Sequence, residues 1–282
     1  VVFGDGQSIS PFAFTKKQIQ SYIKDGFLVV PDAFQKSEIE SLHEEYLRLE
    51  NREDLKKRDE WIFEPGSSNV RSIFSPHIFN HMYEKLSHDP RLLDRVEQIL
   101  GSKVYIHQAR INIKRALDGK AYPWHSDFET WHAEDGMPKM RAVSVWIMLT
   151  DNTTRNGPLN LIRKSHKKFV ICTGETPAEN HRNSLRNQTY GVPSQETLDE
   201  LIGGGDLVAV HGRAGTLVLQ DCNIMHGSPD NTSTLTRTNL FFVFNSVKNT
   251  LASKPYATSD FRPEFLSSSN YSPLEAVENV DF

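Results

Sequence analysis

Tyr122-Pro-Trp-His-Ser-Asp-Phe-Glu-Thr-Trp-His132 is the stretch on which the reading of this chain turns. His125 and Asp127 stand two residues apart in it, and on an extended segment side chains at that spacing point the same way. Two such ligands, joined by a distant second histidine, make a 2-His-1-carboxylate facial triad, which holds Fe(II) and leaves coordination positions open.

The pair alone carries little weight. Three His-x-acid pairs occur, His43-Glu-Glu45, His125-Ser-Asp127 and His132-Ala-Glu134, and chance supplies roughly one in a chain of this composition. The first lies in a predicted helix, where residues two apart diverge. A site of this class also needs a second histidine at the end of a later strand, and about eleven positions beyond it a cation for a co-substrate carboxylate. Eleven residues on from His132, His166, His181 and His211 stand Val143, Pro177, Val192 and Cys222, none of which binds an anion by charge; eleven on from His226 stands Arg237. His226 also closes the apolar run Gly215-Thr-Leu-Val-Leu-Gln-Asp-Cys-Asn-Ile-Met-His226, which a barrel strand would deliver to the mouth. His125, Asp127, His226 and Arg237 are therefore expected to converge.

Composition narrows the class. The chain has 282 residues, 38% of them hydrophobic, enough to bury a sizeable core. A net charge of -4 argues against nucleic acid as the main partner, because a phosphate-binding face wants clustered Lys and Arg. No run approaches the roughly 18 apolar residues that span a bilayer, so no membrane partner is expected. Cys172 and Cys222 lie far apart without C-x-x-C spacing, which indicates neither a disulfide framework nor a zinc site. Val1-Val-Phe-Gly-Asp-Gly6 holds neither the basic segment nor the apolar core of a secretion signal, and the cytosol is the expected compartment.

Helical spacing predicts helices over 15–25 (Ile19, Tyr22 and Ile23 on one face), 37–49, 76–87 and 90–100, with a short strand at Phe27–Val30. Residues 51–69 read as a loop with a sticky Trp61-Ile-Phe63, and His43, His77, His81 and His88 read as structural. From Lys103 the period changes to two: Tyr105, Ala109, Ile111 and Ile113 take one face, and Gln108, Arg110, Asn112 and Lys114 the other, facing either water or a polar lumen. Further strands are predicted at 141–150, 157–162, 207–210, 215–220 and 237–247. Gly203–Gly205 is not a phosphate loop, since no Lys-Ser/Thr follows and no helix begins there. Helices first and short strands later imply a mainly β fold with flanking helices, a double-stranded β-helix or jelly roll, cupin-like. The expected organisation is one domain over 1–282: a largely helical scaffold (1–102), the jelly-roll core (103–250) and a tail (251–282) whose Phe261-Arg-Pro-Glu-Phe-Leu266 folds back over the barrel mouth.

The segment Trp124-His-Ser-Asp-Phe-Glu-Thr-Trp-His-Ala-Glu-Asp-Gly-Met-Pro138 resembles the defining stretch of the ectoine hydroxylases, within the phytanoyl-CoA dioxygenase-like superfamily of Fe(II)/2-oxoglutarate oxygenases. The likeness extends more weakly from about Phe27 to Phe265, through Gly157-Pro-Leu-Asn-Leu-Ile162 and Ser165-His-Lys167. Two positions depart from the family: Tyr122 stands for the usual Phe, and Arg163-Lys164 for Pro-Gly. The resemblance implies a cytoplasmic homodimer that turns ectoine into 5-hydroxyectoine during osmotic stress, using Fe(II), O2 and 2-oxoglutarate. It implies His125, Asp127 and His226 as iron ligands, Lys114 and Arg237 as holders of 2-oxoglutarate with Ser228 near its carboxylate, and Gln108 and Trp131 as ectoine contacts. Halogenases of the superfamily carry a small residue at the carboxylate position, so Asp127 implies hydroxylation. Asn239 and Tyr122 join the co-substrate set. Arg237, Asn239 and Phe241 share a strand face; Phe241 and Trp131 are aromatic candidates for a cationic substrate, and Arg262, alone in the tail's apolar knot, is the candidate for its carboxylate. The competing expectations are an oxygenase of the same superfamily with another small amino acid-like or acyl substrate, and a non-catalytic solute-binding jelly roll in which the triad is incidental.

Overall fold

Thr15 starts the first helix by accepting the Gln18 amide, and Gly26 ends it in the left-handed region at φ 87°, where a side chain would be strained. The structure, a computed structural model, describes residues 2–4, 10–171, 193–277 and 282; Cys172 and His181 lie outside them. In α1 (Lys16–Asp25) the buried stripe runs through Ile19, Tyr22 and Asp25, an i+3 row that leaves Ile23 at its edge and exposed rather than in the core. β1 (Phe27–Val30) and α2 (Lys36–Glu50) follow, α2 burying Ile39, Leu42, Tyr46 and Leu49 at helical spacing.

Residues 51–69 are not wholly loop: β2 (Trp61–Phe63) pairs with β3 (Val70–Phe74), burying Trp61 and Ile62. The predicted helix over 76–87 is two, α3 (Pro76–Phe79) and α4 (His81–Ser87). Asn80 breaks it, with extended backbone and a side-chain oxygen that accepts the Met82 and Tyr83 amides. α5 (Pro90–Leu100) stops at Gly101.

The remaining elements are β4 (Val104–Lys114), β5 (Tyr122–His125), α6 (Asp127–Asp135), β6 (Ala142–Met148), β7 (Leu159–Ile162), α7 (Gln195–Gly204), β8 (Leu207–Val210), β9 (Leu217–Asp221), β10 (His226–Ser228) and β11 (Arg237–Ser246). α7 went unforeseen, and Gly203 and Gly204 are its last residues. The strands form a seven-stranded sheet, β1-β9-β6-β11-β4-β3-β2, and a four-stranded sheet, β5-β10-β7-β8, with antiparallel neighbours throughout. This is the jelly roll, with helices buttressing the large sheet. β1, β2 and β3, from the helix-rich first part of the chain, lengthen that sheet at both edges.

The two faces of the large sheet have opposite chemistry. The outer face, with Ile111, Ile113, Val145, Leu219, Leu240, Phe242 and Phe244, packs on Tyr22, Leu42, Tyr83, Leu93 and Ile99 of the helices in one apolar core. The inner face looks across to the small sheet, and a second cluster, Trp146, Met148, Val218 and Phe241 against Leu159, Leu161, Val210 and Ile224, closes one side of that space. The polar residues of β4 are on this inner face: Gln108, Asn112 and Lys114 are all buried, so they line a lumen and do not meet bulk water. Tyr105 departs from the alternation. The β4–β11 register shifts between Ile106 and Gln108, so a bulge at His107 moves Tyr105 off the apolar face and Ile106 onto it.

The tail returns along this edge. Gln108 Nε2 donates to the Leu266 carbonyl at 2.8 Å, Ser268 N to the His107 carbonyl at 2.9 Å and Leu274 N to the Val104 carbonyl at 2.8 Å. Leu266 is fully buried against Ile62 and Phe74. Among the described residues no helix is long and apolar enough to cross a membrane. Leu266→Ala is expected to lower unfolding free energy by about 2–4 kcal/mol through the lost burial and the cavity left behind; denaturant titration followed by tryptophan fluorescence measures it.

Candidate metal centre and co-substrate pocket

β9 stops at Asp221, the chain turns through Cys222–Met225, and His226 opens β10 instead of ending the strand that begins near Gly215. That turn moves His226 from the large sheet to the small one. β10 lies between β5 and β7, in a register that sets His226 opposite His125. Facing residues of antiparallel strands carry their side chains to the same face, and the two imidazole centroids are 4.2 Å apart.

Asp127 also departs from expectation in its local setting. The extended segment ends at His125; Ser126, at φ -110° and ψ 129°, is the N-cap, and Asp127 is the first residue of α6. Because Ser126 is still extended, the two flanking side chains nevertheless turn to one side. Asp127 Oδ1 lies 3.7 Å from His125 Nε2 and 3.8 Å from His226 Nε2. One ligand atom from each of the three residues falls within 4.8 Å of the others.

The hydrogen bonds around the triad select its ligand atoms. His125 Nδ1 is 2.7 Å from the Pro123 carbonyl and His226 Nδ1 is 3.0 Å from the Ile224 carbonyl. A carbonyl only accepts, so each Nδ1 carries the proton and each Nε2 keeps its lone pair. Ser144 donates to Asp127 Oδ2 at 3.3 Å, on the oxygen away from the histidines. Burial and the neighbouring His226 push the His125 imidazole below its ordinary pKa, favouring the neutral ligand form. Burial works to raise the Asp127 carboxyl, yet His226, His125 and Arg110 hold it below the usual range and ionised. Two imidazole Nε2 atoms and one carboxylate suit a divalent iron with open positions.

Along the inner face of the large sheet the register builds rows across the strands. Gln108, Val243 and Ser144 form one row; Arg110, Phe241 and Trp146 the next; Asn112, Asn239 and Met148 the next; Lys114 and Arg237 the last. The last row joins a lysine and an arginine, and among the described residues no carboxylate forms an ion pair with either. Arg237 is buried, donates from Nη1 to the Gly157 carbonyl, leaves Nε without a partner, and is pushed down to about 10 by burial. Lys114 Nζ donates to Ser228 Oγ at 2.8 Å and to the Pro229 carbonyl at 2.5 Å, and is pushed down to about 6 by burial and then by Arg237 and Arg71. Asn239 leaves both amide atoms unpaired in complete burial. Buried basic groups without a counter-ion and buried amides without partners are costly, and this set suits a dicarboxylate ligand. On the small sheet Ser228, whose hydroxyl accepts from Lys114, is two residues of β10 from His226, or about 7 Å of strand.

The other expected residues are placed as follows. Tyr122 pairs with Ser228 in register, and its ring lies under the Arg71 guanidinium at 3.9 Å and within 5.5 Å of Lys114 Nζ. Trp131, one helical turn after Asp127, is buried edge-on to His107 at 5.4 Å. Phe241 stacks on Trp146 at 5.7 Å and lies 5.1 Å beneath the Arg110 guanidinium. Arg262 is not alone: Nε and Nη2 donate to Asp135 at 2.7 and 2.5 Å, which leaves the Nη1 edge of the fork for other partners. Arg110, Ser144 and Arg71 escaped the sequence reading as site residues. Arg110 carried a signal, a cation on the polar face of β4; Ser144, one hydroxyl within an apolar strand, carried a weaker one; Arg71 sits on a strand that was not predicted.

A jelly roll whose lumen joins a His-Asp-His set to a buried, unmatched cationic pocket defines a non-haem iron oxygenase that uses a 2-oxo acid. The chain belongs to the phytanoyl-CoA dioxygenase (PhyH) family, which matches residues 22–239. It is 44% identical over 285 residues to the ectoine dioxygenase of Bordetella bronchiseptica, covering 100% of this chain and 92% of that one. Among solved structures, EctD from S. alaskensis with 2-oxoglutarate and 5-hydroxyectoine superposes with a TM-score of 0.88 at 37% identity, covering 98% of this chain and 91% of that one. The same enzyme with bound Fe gives a TM-score of 0.87 at 36% identity, covering the same shares.

Because Lys114 sits near 6 in the absence of an anion, it is largely neutral at pH 7.5, and a dianion beside it favours its charged form. Binding of 2-oxoglutarate at pH 7.5 is therefore expected to take up close to one proton, measured by calorimetry in buffers of different ionisation enthalpy; Lys114→Met abolishes the uptake.

Proposed function

We propose that this protein hydroxylates ectoine to 5-hydroxyectoine, consuming O2 and 2-oxoglutarate and releasing succinate and CO2. One observation carries the reading: His125, Asp127 and His226 converge, and Ser228, two residues along β10 from His226, accepts from Lys114 in the Lys114–Arg237 row, in a chain closely related throughout to ectoine dioxygenases. His125 Nε2, Asp127 Oδ1 and His226 Nε2 would hold Fe(II). When bound, that ion supplies the O2 activation that couples oxidative decarboxylation of the 2-oxo acid to insertion of one oxygen atom into a C–H bond.

The chain's own groups bind, orient and shield. Arg237 grips the distal carboxylate of 2-oxoglutarate with its planar fork, Lys114 and Ser228 meet the same end, and Asn239 serves the diacid along its length. The Tyr122 ring holds Arg71 and Lys114 at the pocket wall. Ser144 occupies the outer oxygen of Asp127, which keeps Oδ1 turned to the metal side. Ectoine is a small zwitterion with a delocalised amidinium. Gln108 and Trp131 form its berth, the Trp131 face attracting the cation by roughly 0.5–2 kcal/mol; Phe241, whose ring is already taken by Trp146 and Arg110, closes the wall beside it, and the Nη1 edge of Arg262 takes its carboxylate. The large-sheet core, the second cluster between the sheets and the returning tail exclude bulk water from the reacting carbon. We read residues 1–282 as one oxygenase domain that acts as a cytoplasmic homodimer in the response to osmotic stress, on its likeness to the family; light scattering tests the dimer.

The decisive experiment loads the protein anaerobically with Fe(II) and 2-oxoglutarate, then admits O2 with and without ectoine. Equimolar succinate and a product heavier by one oxygen are expected only with ectoine, and an equal yield from proline or lysine in its place would overturn the substrate assignment. His226→Ala is expected to remove turnover. Arg237→Lys is expected to raise the 2-oxoglutarate KM about 10- to 100-fold, the loss of one or two charge-assisted bonds, with the ectoine KM little changed.

A further inference from the structure

Among the described residues Asp135 is the most deeply buried acid away from the metal centre, with no exposure, and it ends α6. The C-terminal end of a helix carries the negative pole of its dipole, so a carboxylate there is disfavoured twice, by burial and by the backbone. Partners from two other elements offset this. Arg262, from the tail, donates to both carboxylate oxygens. His107, at the bulge of β4 and also without exposure, is 3.0 Å from Asp135 Oδ2 through Nε2. Burial raises the Asp135 carboxyl while Arg262 and His107 lower it, and the net effect is an ionised group. An ionised Asp135 accepts from His107, which assigns the proton to Nε2 and leaves Nδ1 as a buried atom without a partner.

A buried ion pair of this kind is weak as a source of stability, since well-packed apolar residues do as well. Its effect on geometry is large. With Nε and Nη2 held by Asp135, and Glu134 Oε2 3.7 Å from Nε, the guanidinium plane of Arg262 is fixed and the Nη1 edge is the one turned away from Asp135. With Nε2 held, the His107 ring is fixed edge-on to Trp131, and His107 is the neighbour in sequence of Gln108. The tail is tied to the same helix end by backbone bonds, Ala252 N to the Gly136 carbonyl at 2.9 Å and Ala257 N to the Ala133 carbonyl at 2.8 Å.

We infer that Asp135, which touches neither metal nor substrate, is a positioning residue for substrate recognition: it sets the fork of Arg262 and, through His107, the ring of Trp131. The inference rests on the ectoine-binding roles given above to Arg262 and Trp131. No part of it concerns the co-substrate row, at the far end of β4 and the start of β11, or the iron ligands on β5, β10 and the first residue of α6.

The test compares Asp135→Asn, Asp135→Glu and Arg262→Lys with the parent protein, each carrying Fe(II) and 2-oxoglutarate. Ectoine affinity is measured by calorimetry without O2, and kcat and KM by succinate and hydroxyectoine yield with O2. Asp135→Asn is expected to weaken ectoine binding and raise its KM about tenfold or more, the loss of one oriented charge-assisted contact. The 2-oxoglutarate affinity, read from the charge-transfer absorption of the ferrous complex, should stay within about twofold, because uniform substrate binding is what is removed. Asp135→Glu, which keeps the charge and displaces the carboxylate by one methylene, should move ectoine KM in the same direction even if the Asn variant folds poorly. The double variant Asp135→Asn/Arg262→Lys should be little worse than Arg262→Lys alone, since the two act as a unit. Unchanged ectoine affinity in both Asp135 variants while Arg262→Lys weakens it, or full additivity in the double variant, overturns the role of Asp135. Unchanged affinity in Arg262→Lys overturns instead the substrate role of Arg262 on which it rests.

Discussion

The insertion of β10 between β5 and β7 is the constraint on which the site depends. β10 is only three residues long, and slipping it by one would turn His226 out of the lumen and Gly227 in. Short strands hold register poorly by themselves, and here the preceding turn supplies what the ladder lacks. Asn223 is buried and donates to the His166 and Lys168 carbonyls at 3.0 and 2.9 Å. Its Oδ1 accepts from Ser126, the residue between His125 and Asp127, at 3.0 Å. Met225 N donates to Ser165 Oγ at 2.8 Å, and Ile162 N to the Met225 carbonyl at 2.9 Å. The segment bearing one expected ligand is thus cross-linked to the segment bearing the other two, and the triad is arranged by neutral hydrogen bonds.

The second determinant is charge left unmatched. Lys114, Arg237 and Arg71 share one buried region, and among the described residues only Arg71 has a carboxylate partner, Glu64 at 3.1 Å. An arrangement of that kind persists only if the surrounding core over-determines it. The outer face of the large sheet supplies this: β11 alternates Leu240, Phe242 and Phe244 into the helix-backed core with Arg237, Asn239 and Phe241 into the lumen. Each strand therefore pairs an outer side that holds the fold with an inner side that selects the ligand, and the apolar packing of the one carries the polar strain of the other.

This division explains what could be read in advance. The period-two pattern of β4 and β11 exposed the inner row directly, because alternation survives in sequence, and the eleven-residue interval from His226 to Arg237 follows from a turn joining two strands of fixed roles. What escaped were features with no period. The bulge at His107 is one extra residue, invisible to a pattern count, and it reversed Tyr105. β10 is too short to show alternation, so His226 was assigned to the end of the preceding strand. β3 has every residue buried and so carries no amphipathic signal. Arg262 read as isolated because its partner Asp135 lies 127 residues away in the chain, a separation that local pattern cannot bridge.

α6 then ties these parts to one scale. It is nine residues long, about 13 Å of helix, with Asp127 at its start and Asp135 at its end. The first carboxylate meets the two imidazoles, favoured by the positive pole of the helix; the second meets Arg262 and His107 against the negative pole. Trp131 stands midway, a turn from each. A helix resists stretching far better than a loop, so the spacing between the metal centre and the groups that orient the substrate is set by one rigid element. The motif between Trp124 and Pro138 is long because it encodes this spacing together with the ligands: two ligands alone would need three residues, whereas both ends of the ruler, its cap at Ser126 and its stop at Gly136 need the whole stretch.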